Sequence, residues 1–239
     1  MQAVALRTAA VAAGPDADVP SCPNWTVHQL VRHIAKVHNW VVKAIQSAPA
    51  GSSPHPDQPP AEWDLLLTWW DEQLDAMLGR LAGAGPDAPT WVFDEGLAPT
   101  TAFWARRQAH ETAIHRLDAE HASAGSGASD SVPSLVFDPD FAADGIDEAI
   151  VLMVPRTLAG RPPDVEGTVL FHAADAGRAW LARLTPGAPP EIGPAQVSGI
   201  DSDASVVGTA DAVYRAVWHR PSSAVVSGNR ALVDALRTP

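Results

Sequence analysis

The sequence predicts two domains of different class: a helical bundle over residues 1–125 and a smaller α+β domain with a mainly antiparallel sheet over residues 135–239. Three observations carry this. Long stretches with the 3.6-residue apolar period, separated by Gly- and Pro-rich loops, fill the first half. Short β-branched and aromatic runs joined by hairpin-length turns dominate the second. Between them lies Ala124 to Ser134, whose Gly/Ser/Ala composition is that of a linker. Hydrophobic residues make up 46% and charged ones 18%, which allows packed cores and argues against disorder.

Residues 1–13 read as a short helix ending at Gly14-Pro15. Asp16 to Asn24, with Pro20 and Pro23, is a loop. A marked helix start follows: Thr26 with Gln29 three residues later forms a capping box, and Leu30 can staple onto Trp25. This second helix runs to about Gln46 with Val27, Leu30, Ile34, Val37, Val41 and Ile45 on its apolar stripe. Ser47 to Pro60 is a long connection. The third helix, about Ala61 to Leu81, turns Trp63, Leu66, Leu67, Trp70, Leu74, Met77, Leu78 and Leu81 inward. Gly83 to Pro99 is a loop in which Trp91 and Phe93 fold back as a cover. The fourth helix spans about Thr101 to Ala122. Beyond the linker, Asp140 to Leu158 reads as an amphipathic helix. Strands are expected at Thr168–Ala173 and Ala179–Leu184, with a turn at Asp175 to Gly177. A further strand at Ala204–Gly208 leads into a helix from Ala210 to Trp218. Ser223–Val226 is a short strand, and Asn229–Arg237 a closing helix.

Net charge is −12, which argues against nucleic acid or an anionic membrane as main partner. A single cysteine, Cys22, rules out an internal disulfide and a cysteine-rich zinc site. No apolar run reaches the length of a membrane span and no secretory signal is recognisable, so a cytoplasmic protein is expected. No repeat, phosphate-cradling loop or dinucleotide fingerprint is present.

The chemistry concentrates on the fourth helix. At about 100° per residue, Trp104, Glu111, His115 and Ala122 share one stripe beside Phe103, Ile114 and Leu117. A carboxylate and an imidazole thus point together along the flank of an apolar face. Burying that carboxylate unpartnered costs several kcal/mol, roughly, and a divalent metal is the economical compensation. A helical E-x3-H pair is common without metal, so a third ligand is needed. The second helix offers candidates. His28 projects to the polar side with Arg32 and Lys36, whereas His33 and His38 lie at opposite edges of the apolar stripe, and spacing alone does not choose between them. His110 points about 100° away from Glu111 and reads as packed. Arg107 and Arg116 are accounted for by ion pairs with Glu111, Asp118 or Glu120, and Cys22 by the turn that feeds the second helix.

The segments VPSCPNWTVHQLVRH, ending at His33, and RRQAHETAIHRLDAE, ending at Glu120, resemble the mycothiol-dependent maleylpyruvate isomerase family, part of the DinB-like metal-binding four-helix bundles. Gly208-Thr-Ala-Asp, Trp218-His-Arg220 and Val226 to Leu232 are similar to that family's second domain, which is related to sterol-carrier-protein folds. The resemblance implies His33, Glu111 and His115 as metal ligands, selecting His33 over His38. Three protein ligands leave positions open, as in catalytic sites. The donor set suits zinc, with nickel, iron(II) or manganese as alternatives. The resemblance also implies mycothiol as thiol cosubstrate and Arg220 as a guanidinium offered to the site for a substrate carboxylate. A monomer or homodimer is expected. The implied activity is isomerisation or S-transfer on a small electrophile. Two rivals use the same residues: a metal enzyme that activates water for hydrolysis or hydration, and a non-catalytic metal-stabilised ligand-binding module. The chain departs from the family in its short first helix.

Overall fold

The computed structural model describes residues 2–125, 135–196 and 201–237. The chain divides into two compact units, one up to residue 132 and the other from 133 onward. Most of the predicted linker lies outside the described residues.

The first unit is a four-helix bundle: α1 Gln2–Ala13, α2 Val27–Gln46, α3 Trp63–Ala84 and α4 Thr101–Ala124. Gly14 ends α1 with φ of +80°, a conformation a side chain would oppose, and its N–H closes onto the Ala10 carbonyl. The intervening turns return the chain to Thr26, where Gln29 Oε1 accepts from the Thr26 backbone N–H as the capping box requires. Short as it is, α1 lies along α4 and buries Leu6 and Ala10 in a cluster that holds Ala119 and Ala122 of α4 together with Leu30, Ile34, Leu66 and Trp70. The loop of residues 47–62 is held down on α2: Trp40 Nε1 donates to the Pro54 carbonyl at 3.0 Å and the Asp57 N–H to Asn39 Oδ1 at 2.8 Å.

A second cluster fills the other half of the bundle. Trp91 and Phe93 do fold back, packing with Trp40, Val41, Met77 and Trp104. Trp104 Nε1 donates to the Trp91 carbonyl at 2.8 Å, which satisfies the one polar atom of a completely buried ring. The expected inward face of α3 needs correction at one position. Leu78 is 51% exposed, because α3 buries only Leu66, Leu67, Trp70 and Met77 fully and its apolar residues spread wider than the face its neighbours cover.

The second unit has a five-stranded sheet ordered β3-β2-β1-β4-β5, built from β1 Gly167–Ala173, β2 Arg178–Leu184, β3 Glu191–Pro194, β4 Ala204–Gly208 and β5 Val225–Gly228. The β1–β2 hairpin places Phe171 opposite Trp180, turning at Gly177. Pairing is antiparallel throughout except between β1 and β4, which run parallel because a long connection carries the chain back across the sheet. The sequence reading omits β3, a short edge strand ending in Pro194, and places β5 too early; its strand begins at Val225, not Ser223. Asp203 ties β1 to β4, its Oδ2 accepting from both the N–H and the hydroxyl of Thr168 at 2.8 Å.

The expected helix over residues 140–158 is interrupted. It comprises α5 Pro139–Asp147, a π-helical turn Glu148–Met153 and α6 Val154–Ala159. Pro155 has no N–H and crowds the carbonyl one turn back, and just before it the ladder widens, with the Val154 N–H reaching the Ala149 carbonyl. α7 Ala210–Val217 is capped by the Thr209 hydroxyl, and α8 Arg230–Ala235 by Asn229. Phe137 and Tyr214 meet edge to face at 5.2 Å within the helical layer.

Candidate metal centre

α4 owes its placement to position rather than composition. It buries Gln108, His110, Glu111, Thr112, His115, Asp118 and His121 as well as apolar residues. Buried polar groups require partners, and the arrangement of those partners defines the site.

Glu111 and His115, one turn apart on α4, face His33 on α2. The Glu111 Oε1 atom lies 2.9 Å from His33 Nε2 and 3.3 Å from His115 Nε2. The two imidazole rings meet edge to face with centroids 4.9 Å apart. One ligand atom from each of the three residues lies within 4.8 Å of the others. The remaining atoms of two of these groups are already engaged. Arg107 binds Glu111 Oε2, and Asp118 Oδ2 is 2.9 Å from His115 Nδ1. The donor set therefore fits a divalent cation: two nitrogens and one carboxylate oxygen converge, with the outer atoms of Glu111 and His115 held by the protein. The site is closed on the α4 side, where Glu111 and His115 side chains are 9% and 10% exposed, and open at His33, which is 35% exposed.

The charges follow from this packing. Burial opposes ionisation of Glu111, yet the Arg107 guanidinium, with hydrogen bonds from His115 and His33, holds its carboxyl well below the usual carboxylate range. Burial also opposes charge on His115, but the hydrogen bonds to Asp118 and Glu111 prevail and raise it to about 9. An incoming cation must therefore displace a proton from His115 at neutral pH.

His38, the alternative that spacing leaves open, belongs elsewhere. It is completely buried and its Nδ1 accepts from Trp70 Nε1 at 3.2 Å. Burial pushes its pKa down to about 4, so it is a neutral core histidine. His28 is not simply solvated: its Nε2 sits 2.8 Å from the Ala61 carbonyl, at the entry to α3. His110 is buried, and Arg116 pairs with Glu120 at 2.7 Å. Arg220 lies in the second unit, just beyond α7, where its guanidinium donates to the Trp218 carbonyl. Cys22 serves the turn, its N–H bonding to the Val19 carbonyl, and its thiol also reaches Asp118.

Two contributors escape the sequence reading. Trp25, read there as a staple, covers both histidines, its ring centroid 5.1 Å from that of His33 and 6.3 Å from that of His115. Asp118 appears there only as an ion-pair partner for an arginine. The H-x-x-D spacing, which sets a carboxylate one turn beyond a candidate ligand, was the available signal for it.

Fold and site together define a two-domain protein whose helical bundle carries a His-Glu-His candidate metal centre. Residues 2–120 match the model of the mycothiol maleylpyruvate isomerase N-terminal domain, and residues 140–235 that of the MDMPI C-terminal domain. The chain belongs to the mycothiol maleylpyruvate isomerase family. No curated protein and no solved structure matches it. Among the described residues no helix is long and apolar enough to cross a membrane.

Proposed function

We propose that the chain is a divalent-metal- and mycothiol-dependent isomerase or S-transferase acting on a small electrophile that carries a carboxylate, as maleylpyruvate does. His33, Glu111 and His115 are its metal ligands, and Arg220 pairs with the substrate carboxylate. The observation that carries this reading is the convergence of His33 Nε2, Glu111 Oε1 and His115 Nε2 from two helices distant in sequence. Family membership supports mycothiol as the thiol and isomerisation as the reaction class.

A divalent ion held there, with zinc the best match to the donor set, would lower the pKa of a thiol and make thiolate available near neutral pH. For a cis-enedioic substrate, the thiolate sulfur adds to one carbon of the double bond. The resulting single bond rotates, and elimination of the same thiolate restores the double bond as trans, with no net redox change.

The chain's own residues prepare this chemistry. Arg107 occupies Glu111 Oε2, which leaves Oε1 to face the two imidazoles. Trp25 shields one side of both rings from water, while the exposed edge of His33 leaves an approach for thiol and substrate. A planar guanidinium at Arg220 suits bidentate pairing with a carboxylate, which a lysine would not reproduce.

The test is turnover of maleylpyruvate and a panel of electrophiles by the zinc-loaded protein, with and without mycothiol. Thiol-dependent isomerisation or conjugation is expected, with Arg220→Lys raising KM for carboxylated substrates. Thiol-independent hydrolysis or hydration would replace this reading with a water-activating enzyme. Metal binding with no turnover would leave a ligand-binding module.

A further inference from the structure

We propose that Asp118 is the positioning residue of the metal centre: it fixes the tautomer of His115 and, through Cys22, docks the loop before α2 against the site. The inference rests on the metal reading above and goes beyond it in assigning a role to a residue that is not a ligand.

Asp118 lies one helical turn beyond His115 on α4 and has no exposed surface. A carboxylate so placed is costly unless its oxygens are engaged. Its Oδ2 is engaged by His115 Nδ1 at 2.9 Å and by the Cys22 thiol at 3.6 Å. An acidic oxygen against Nδ1 obliges that nitrogen to carry hydrogen, because an unprotonated nitrogen would face a lone pair with another lone pair. A neutral His115 ring therefore carries its one hydrogen on Nδ1. The Nε2 lone pair is then the one presented toward Glu111 Oε1 and His33. The carboxylate also raises the basicity of Nε2 through the ring, which strengthens it as a ligand.

The Cys22 contact gives the same oxygen a second task. Cys22 lies in the loop that carries Trp25, and Ser21 Oγ in that loop is 3.4 Å from His121 Nδ1 on α4. Asp118 thus connects one metal ligand to the segment whose tryptophan covers two of them.

The experiment is zinc affinity by chelator competition on the full chain, comparing wild type with Asp118→Asn and Asp118→Ala, with Glu120→Gln on the same helix as control. Asparagine can still accept from Nδ1–H but carries no charge, so affinity should fall about 10-fold, and the alanine variant should approach about 100-fold. Glu120→Gln should bind as wild type does. In the zinc-loaded wild type, nitrogen-resolved NMR of the histidine rings should show hydrogen on His115 Nδ1 and zinc on Nε2. That readout requires no variant to fold. Unchanged affinity in both Asp118 variants, or zinc on Nδ1, overturns the role of Asp118 and leaves the metal centre standing. A wild-type protein that binds no zinc overturns both.

Discussion

The two halves of the helical bundle solve the problem of burial in opposite ways, and both do so on α4. At its start Trp104 is enclosed by Trp40, Trp91, Phe93 and Phe103, and the one polar atom of its ring is satisfied by a backbone carbonyl. Two to three turns later on the same stripe, Glu111 and His115 are also buried, but among charged and titratable groups. The aromatic half is complete in itself. The polar half holds three donor atoms aimed at one point, which is an arrangement that packing alone would not select. The aromatic core and the proposed metal centre thereby occupy separate stretches of a single helix.

Substitutions should separate them experimentally. Trp104→Ala removes the centre of the aromatic cluster and should destabilise folding by about 3–5 kcal/mol, read from denaturant unfolding, while the protein that remains folded keeps its zinc stoichiometry. His33→Ala should do the reverse, abolishing zinc binding while moving the metal-free midpoint by less than about 1 kcal/mol, since this side chain is partly exposed.

Protons act on the same divide. His38 has its pKa lowered from 6.5 to about 4 by burial, so its contribution is present above 6.5 and is lost as pH falls toward 4. That loss amounts to about 3 kcal/mol. His115 is shifted the other way, so its contribution to the metal-free protein is full below 6.5 and is lost as pH rises through about 9. Glu111, held low, contributes above 4.5 and loses that contribution as acid protonates it. These groups together place the metal-free stability maximum near pH 6.5, measurable by urea melts across pH. Zinc affinity, in contrast, should keep rising above neutrality toward pH 9, by about tenfold per pH unit, because each ion displaces one proton from His115.

Ligand linkage gives a smaller effect. Zinc at a hundredfold excess over its Kd should stabilise the wild type by about 2.7 kcal/mol and His33→Ala not at all, visible as a shift in thermal midpoint. The smallest effect is expected at Leu78. Its side chain is exposed despite the apolar period of α3, and Leu78→Lys should stay within about 0.5 kcal/mol.

The sequence made the helices readable where local chemistry set their ends: the Thr26–Gln29 box, the Gly14-Pro15 break and the strong apolar period of α2. β1, β2 and β4 were readable from β-branched and aromatic runs. β3 was not, because Glu191-Ile-Gly-Pro has no alternation and its pairing depends on β2 alone. The π-helical turn adjoins Pro155, but a proline in a helical stretch does not by itself distinguish a kink from a widened turn. At the site, helical spacing alone brought Glu111 and His115 together. It could not choose His33 over His38, since both flank the same stripe; what separates them is tertiary, Trp70 donating to His38 while Glu111 meets His33. Trp25 and Cys22 reach the site from a loop, where spacing gives no direction.

The proposed centre requires that His33, Glu111 and His115 share one cation. Elemental analysis of the purified protein beside His33→Ala tests it most directly. A single divalent ion per chain in the wild type and none in the variant is the predicted result. A wild type free of metal, or a variant that retains the same ion, would contradict it.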